Sequence, residues 1–220
     1  MQFSLEDCTV TKGQETRDKI IAQAARVFNQ YGFAGASLSD LMQATGLQKG
    51  GIYRHFRSKE ELAVAAFDYA FTIVDHLRFE TIDPELGSIE QLKQFIANFV
   101  ERRSSIPGGC PVWNTAVDAD DGNLVLRDRA QQAVETWLTR LVTIIEGGIR
   151  DGEINSEVEP SGLATLLIAS LEGALVMSRL TQKTEPLAQV AQYLNELLEL
   201  RRMSCLNSSH DNLYLQKEEK

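Results

Sequence analysis

The sequence predicts an all-α protein of about nine helices, and three observations carry that prediction. Apolar residues recur at three- and four-residue spacing along most of the chain. Strictly alternating apolar runs and Asn-Gly hairpin signals do not recur, and the breaks fall between helical stretches, at PGG, DADDG, DGE and QKTEP. The 220 residues are 43% hydrophobic, which is enough to bury a sizeable core.

Residues 1–11 have no clear period and read as a loose arm. From Thr16, the residues Ile20, Ala24, Val27, Phe28 and Tyr31 form one helical stripe, and Gly32 follows as a left-handed cap. Ser37, with Asp40 three positions on, forms a short variant of the capping box ahead of Leu38, Leu41 and Met42. That second helix ends at Gly46. Residues 48–56 make a third short helix. Ser58 and Glu61 then cap a long fourth one, which is apolar along Leu62, Ala66, Tyr69, Ile73 and Leu77 and again along Phe67, Phe71 and Val74. It ends near Glu80, ahead of Pro84 and Gly87. Further helices are expected over 89–103, 110–119, 124–150, 162–180 and 186–203, before a polar, flexible tail at 204–220.

The formal charge of -9 argues at first against a polyanionic partner. Its distribution along the chain argues the opposite. Residues 12–61 hold 8 Lys/Arg against 5 Asp/Glu, net +3, while the remainder is net -12. Between Leu41 and Lys59 there is no acid at all, whereas Lys49, Arg54, His55, Arg57 and Lys59 supply positive or protonatable donors. Two short helices joined by a turn at Gly46 suit a helix-turn-helix, whose second helix enters the major groove of double-stranded DNA.

The run TRDKIIAQAARVFNQYGFAGASLSDLMQATGLQKGGIYRHFRSKEEL resembles the N-terminal domain of TetR-family regulators almost end to end, over about a fifth of the chain. Its strongest elements are Gly32-Phe33, Ser37, Ala44-Thr45-Gly46-Leu47, Lys49-Gly50, Tyr53, Phe56 and Ser58-Lys59. The resemblance implies that Ser37, Tyr53, His55 and Lys59 contact the DNA backbone and that Lys49 and Gly50 lie close to the groove. The chemistry agrees, because hydroxyl, imidazole and ammonium groups donate to phosphate and glycine permits close approach. Base reading falls to Gln48, Lys49, Gly51 and Arg54. Gly51 stands where members of the family often carry Thr, Ser or Ala, which removes a side chain from the groove. Phe56 reads as core. The DNA-binding domain is placed at 12–62, with its motif at 37–56, and a ligand-sensing and dimerisation domain at 63–203.

In the second half, GGCPVWN is similar to a Gly-Cys-Pro segment of one TetR subgroup. A thiol at a helix N-terminus has a lowered pKa, so Cys110 reads either as a sensor of electrophiles or oxidants or as a small buried hydrophobe. Phe67, Phe71, Phe95, Phe99, Trp113 and Trp137, with Cys110, read equally as a ligand pocket or as ordinary core. Leu163, Leu167, Leu171, Ala174, Leu187, Val190, Leu194 and Leu197 are the expected homodimer interface, with Gly173 allowing close approach.

DADDGN misplaces the glycine of a calcium loop and puts Arg129 where its bidentate Glu belongs, so no metal site is expected, nor any cofactor. His55, His76 and His210 lie far apart with no nucleophile motif beside them, which argues against an enzyme. A helical adaptor that binds only protein would leave the basic run unexplained. Cys8, Cys110 and Cys205 lack paired spacing, and the longest apolar segment is interrupted by Glu172, so the expected place is the cytoplasm with no membrane partner. The leading expectation is a dimeric repressor released from a palindromic operator by a small-molecule inducer or electrophile; an activator or a ligand-independent regulator of the same fold is the alternative.

Overall fold

The computed structural model describes residues 11–203. The tail at 204–220 and the arm up to residue 10, with Cys8, Cys205 and His210, lie outside the described residues. The described chain forms nine helices: α1 (Lys12–Gly35), α2 (Leu38–Thr45), α3 (Lys49–Tyr53), α4 (Lys59–Phe79), α5 (Ser88–Glu101), α6 (Pro111–Ala119), α7 (Leu124–Arg150), α8 (Pro160–Thr181) and α9 (Glu185–Arg201). An isolated antiparallel bridge between Ile154 and Arg202 is the sole β-pairing among the described residues.

Local chemistry explains the ends. α1 starts earlier than its apolar stripe because the Thr11 hydroxyl accepts the Gln14 N–H at 3.3 Å. Gly32 does take a positive φ, 73°, but its ψ of 168° is not that of a left-handed cap. The chain kinks there and makes one more turn, closed by Ala36 N–H donating to the Gly32 carbonyl. α2 carries the full capping box between Ser37 and Asp40. α3 is shorter than the expected 48–56, because at its end the chain tightens: His55 N–H donates to Ile52, only three residues back.

Two apolar clusters hold the molecule together. The N-terminal one joins Ile20, Ala24, Leu41, Ile52, Phe56 and Leu62 to Ala66 and Ala70 of α4 and to Ile106. The C-terminal one is built on α4 to α9 around Trp137, Phe95 and Leu141. α4 contributes to both, so the expected boundary at 62 falls inside a helix that the two clusters share. A polar seam adds to the connection. Asn29 of α1 donates to the carbonyls of Pro107 (2.8 Å) and Gly109 (3.1 Å), and the Asn114 amide of α6 donates to Asn29 Oδ1 (3.0 Å). Phe33 N–H donates to Asp118 at 2.6 Å, so one acid of DADDGN accepts the backbone N–H just past the kink at Gly32.

One part of the C-terminal core is not apolar. Glu172 of α8 has no exposed surface, and neither carboxylate oxygen has an N–H or O–H partner. Burial raises its pKa from 4.5 to about 6, against the lowering influence of the Cys110 thiol and of Arg78 from α4. The native state therefore holds this proton more tightly than the unfolded chain does. Stability falls as pH climbs from about 4.5 through about 6, and above that range the ionised group costs the fold about 2 kcal/mol.

Two outcomes follow from this packing. Glu172→Gln is expected to stabilise the protein by about 2 kcal/mol in urea unfolding at pH 7.5, with the gain fading toward pH 4.5; a gain independent of pH would refute the burial argument. Gly32→Ala puts a Cβ 2.5 Å from Asp118 Oδ1 at a backbone geometry open essentially to glycine alone. It should cost about 2–3 kcal/mol in the same measurement.

Candidate nucleic-acid interface

Residues 11–60 build a platform for α3. α2 ends in left-handed Gly46 (φ 69°), whose N–H donates to Met42, and the chain turns through Leu47 and Gln48 into α3. A five-residue helix cannot stand alone. It is anchored by Ile52 and by Phe56 just beyond it, both 1% exposed, with the Arg17 guanidinium 4.8 Å from the centre of the Phe56 ring. Inward anchoring of these residues leaves Gln48, Lys49, Gly50, Tyr53 and Arg54 exposed together. Lys49 Nζ lies 5.9 Å from the centre of the Tyr53 ring, on the same face. Gly51 is half-buried, and a Cβ there would meet Leu47 Cβ at 3.3 Å, so a larger residue would press on the turn.

Two of the expected phosphate donors already have partners. The Ser37 hydroxyl accepts from Asp40 N–H (3.1 Å) and donates to Asp40 Oδ2 (2.6 Å), so its proton is committed to the cap. Donation from the Ser37 hydroxyl and from the Ser37 backbone N–H holds the Asp40 carboxyl below its usual pKa. Lys59 stands at the first position of α4, where a helix dipole opposes a cation. Its ammonium donates to the Phe33 carbonyl and sits 4.5 Å from the centre of that ring, which offsets the conflict and ties α4 to the end of α1. His55 is half-buried.

The expected pocket and dimer residues are sorted differently. Phe67, Phe71, Trp137, Phe79, Phe95 and Phe99 form a continuous aromatic chain, with successive ring centroids 5.1–6.4 Å apart, and Trp137 donates to Asp75 at 3.0 Å. These aromatics pack on one another rather than line one cavity; Phe67 edges a void of about 30 Å³ between α1, α4 and α6, and Phe79 borders a separate, open cleft of about 460 Å³ with Arg140 and Ile144. Only Cys110 and Trp113 of the expected set border a larger cleft, of about 200 Å³, with Glu172 at its wall. Cys110 is buried, and its thiol is pushed well above its ordinary pKa, first by burial and then by the Glu172 carboxylate. Desolvation outweighs the helix end, so of the two readings of Cys110 the burial fits the small buried hydrophobe and disfavours a low-pKa thiolate.

Leu163, Leu167, Leu171, Ala174, Leu187 and Leu194 are buried within the single chain, and Val190 and Leu197 pack against the same core. They cannot serve as a free interface. The outward stripe of α8 is instead Leu166, Ala169, Gly173, Val176, Met177 and Leu180, joined by Tyr193 and Leu200 of α9. Periodicity alone did not separate the two stripes, because α8 is apolar on both, with a mean hydropathy of 1.6 over 18 residues. In the sequence Glu172 stands only as an interruption of an apolar segment. A lone acid in LATLLIASLEGALV was the signal available.

Residues 20–66 match the family described as bacterial regulatory proteins, tetR family, and residues 88–194 match the tetracyclin repressor-like C-terminal domain. A crystal structure of a TetR transcriptional regulator from Chloroflexus aurantiacus J-10-FL is 41% identical, covers 87% of this chain and 98% of that one, and superposes with a TM-score of 0.82. The transcriptional repressor DhaR of Mycobacterium sp. (strain GP1) is 27% identical over 184 residues, 83% of this chain and 91% of that protein. A cysteine-substituted CifR, a TetR-family regulator solved with a 26-bp double-strand operator DNA, shares the fold at 24% identity and a TM-score of 0.71, over 81% of this chain and 94% of that one. The chain belongs to the TetR family of helix-turn-helix transcriptional regulators.

Proposed function

We propose that this chain is a non-enzymatic, homodimeric, cytoplasmic repressor that reads a palindromic operator and leaves it when a small molecule binds the C-terminal half. The observation that carries the DNA reading is the exposed, acid-free face of α3 and its flanks, held by buried Ile52 and Phe56. Gln48, Lys49 and Arg54 present donors to base edges, Lys or Arg suiting guanine and Gln suiting adenine. Gly50 and Gly51 let the backbone approach, while Tyr53 and His55 donate to phosphate. Ser37 serves mainly to cap α2, and Lys59, with one N–H spent on Phe33, keeps two for phosphate. The DNA-binding unit is residues 12–62 together with the first turns of α4.

A palindrome requires two copies related by a twofold axis. The exposed apolar stripe of α8, extended by Tyr193 and Leu200 of α9, is the surface we assign to the second copy. Such an apolar row is costly in water and self-complementary contact would cover it. A ligand that prefers one spacing of the two α3 helices shifts the population of dimers toward or away from the operator.

Lys49→Ala with Tyr53→Ala is expected to weaken operator affinity about a hundredfold and erase a DNase footprint near the protein's own or a neighbouring gene, while the dimer persists. Affinity of the native protein should fall steeply with salt, and protection retained by the double variant would overturn the assignment. Met177→Glu with Leu180→Glu should yield monomers in sedimentation and remove the footprint as well, with helix content unchanged. Dimers that survive this pair of charges would place the interface elsewhere.

A further inference from the structure

The cleft between the start of α6 and the second half of α8 encloses about 200 Å³. Trp113, Leu175, Val176 and Leu180 give it apolar walls, and Glu172 is the acid among its lining residues. That carboxylate is fully buried, yet both oxygens lack a hydrogen-bond partner. Buried polar groups are nearly always paired, and an ionised one without a partner is among the costlier things a core can contain.

The neighbouring charges do not fill this need. Arg78 reaches toward Glu172 from α4, but its Nη1 donates to the carbonyls of Asn98 (2.8 Å) and Arg102 (3.1 Å), and its plane lies 4.0 Å from the centre of the Phe99 ring. The Arg78 Nε has no partner either. Cys110 contributes a neutral thiol, and Arg179 is exposed at the rim, where solvent screens it. Two buried acceptor oxygens therefore stand at the wall of the cleft with no N–H or O–H donor in hydrogen-bond reach, and the Cys110 thiol beside them is only a weak donor.

We propose that this cleft is the effector site and that it takes a small organic cation, a protonated amine carrying an apolar body, whose N–H groups donate to Glu172 while the body packs against Trp113 and Leu175. This rests on the reading of the chain as a ligand-released regulator and names the ligand class for it. Charge-assisted hydrogen bonds to a buried carboxylate are among the stronger single contacts a small ligand can make. With its pKa near 6, Glu172 is ionised at pH 7.5 and ready to accept.

The site is also wired to the DNA-binding half. Gly109 and Asn114 line the cleft, and they are the residues that exchange hydrogen bonds with Asn29 of α1. Arg78, the charged neighbour of Glu172, belongs to α4, which begins at the helix-turn-helix. Occupancy thus acts on both helices that carry α3. Val176 and Leu180 stand on the stripe assigned to the second copy, so the dimer partner would roof the cleft.

The test uses the full-length protein without DNA. Benzylammonium and its neutral counterpart benzyl alcohol are titrated by calorimetry at pH 7.5, with tryptophan fluorescence as a second readout from Trp113. Benzylammonium is expected to bind about tenfold more tightly than the alcohol. Glu172→Gln should reduce that preference to about twofold or less, and Glu172→Asp, which keeps the charge, should retain it. Near-ultraviolet circular dichroism checks that each variant is folded. No binding of the cation, equal binding of the two probes, or a preference that survives in Glu172→Gln would overturn the proposal. Because DNA is absent, such a failure is separate from loss of the operator footprint, which tests the DNA reading alone.

Discussion

The asparagine pair between α1 and α6 is the interaction on which the arrangement of the two halves depends. The side chain of Asn29 is both donor and acceptor: it donates to the loop carbonyls of Pro107 and Gly109 and accepts from Asn114. Asn114 also donates to the Gly108 carbonyl, so loop, α6 and α1 form one closed set of hydrogen bonds. The set exists only because the loop passes close to α1. A Cβ at Gly108 would lie 2.4 Å from the Asn29 carbonyl oxygen, and Gly108 has a φ of 112° that other residues rarely adopt. With most of its polar atoms screened from water, this seam is directional in a way that apolar contact is not, and it fixes how the DNA-reading platform sits on the regulatory half.

α4 makes the same connection by other means. One face of it closes the N-terminal cluster through Leu62, Ala66 and Ala70, another enters the C-terminal core through Ala63, Phe67 and Val74, and its last turn carries Arg78 to the neighbourhood of Glu172. A helix that packs on two sides is held by both clusters at once and leaves only a narrow face, with Tyr69, Thr72 and His76, to solvent. The cost of ionised Glu172 is set against this background. Burial of an unpartnered carboxylate reduces stability, as strained or underpaired groups commonly do where a protein binds something.

Much was legible along the chain because helices announce themselves locally. The stripe of Ile20, Ala24 and Val27, the Ser37-Asp40 and Ser58-Glu61 caps and the prolines and glycines between segments located every helix to within a few residues. The exposed donors of α3 were legible for a related reason: in so short a helix, anchoring by Ile52 and Phe56 leaves only one outward face. Partnerships across the fold were not. Nothing local tells that the Ser37 proton is taken by the cap, that Lys59 finds the Phe33 carbonyl, or that Asp118 accepts the Phe33 N–H from 85 residues away.

By itself, then, the sequence determined the helical class, the order of the elements, the helix-turn-helix and the concentration of positive charge on it, since each depends on period, capping and composition over a few neighbouring residues. Tertiary structure alone decided which stripe of α8 meets the core and which is left outward, that the aromatic residues stack into a solid core, and that Cys110 is buried against Glu172 rather than poised as a thiolate. The physical reason is common to all three. Burial and desolvation depend on which distant helices pack together, and a helix apolar on two sides, an aromatic residue at helical spacing or a thiol at a helix start is compatible with either outcome until that packing is set.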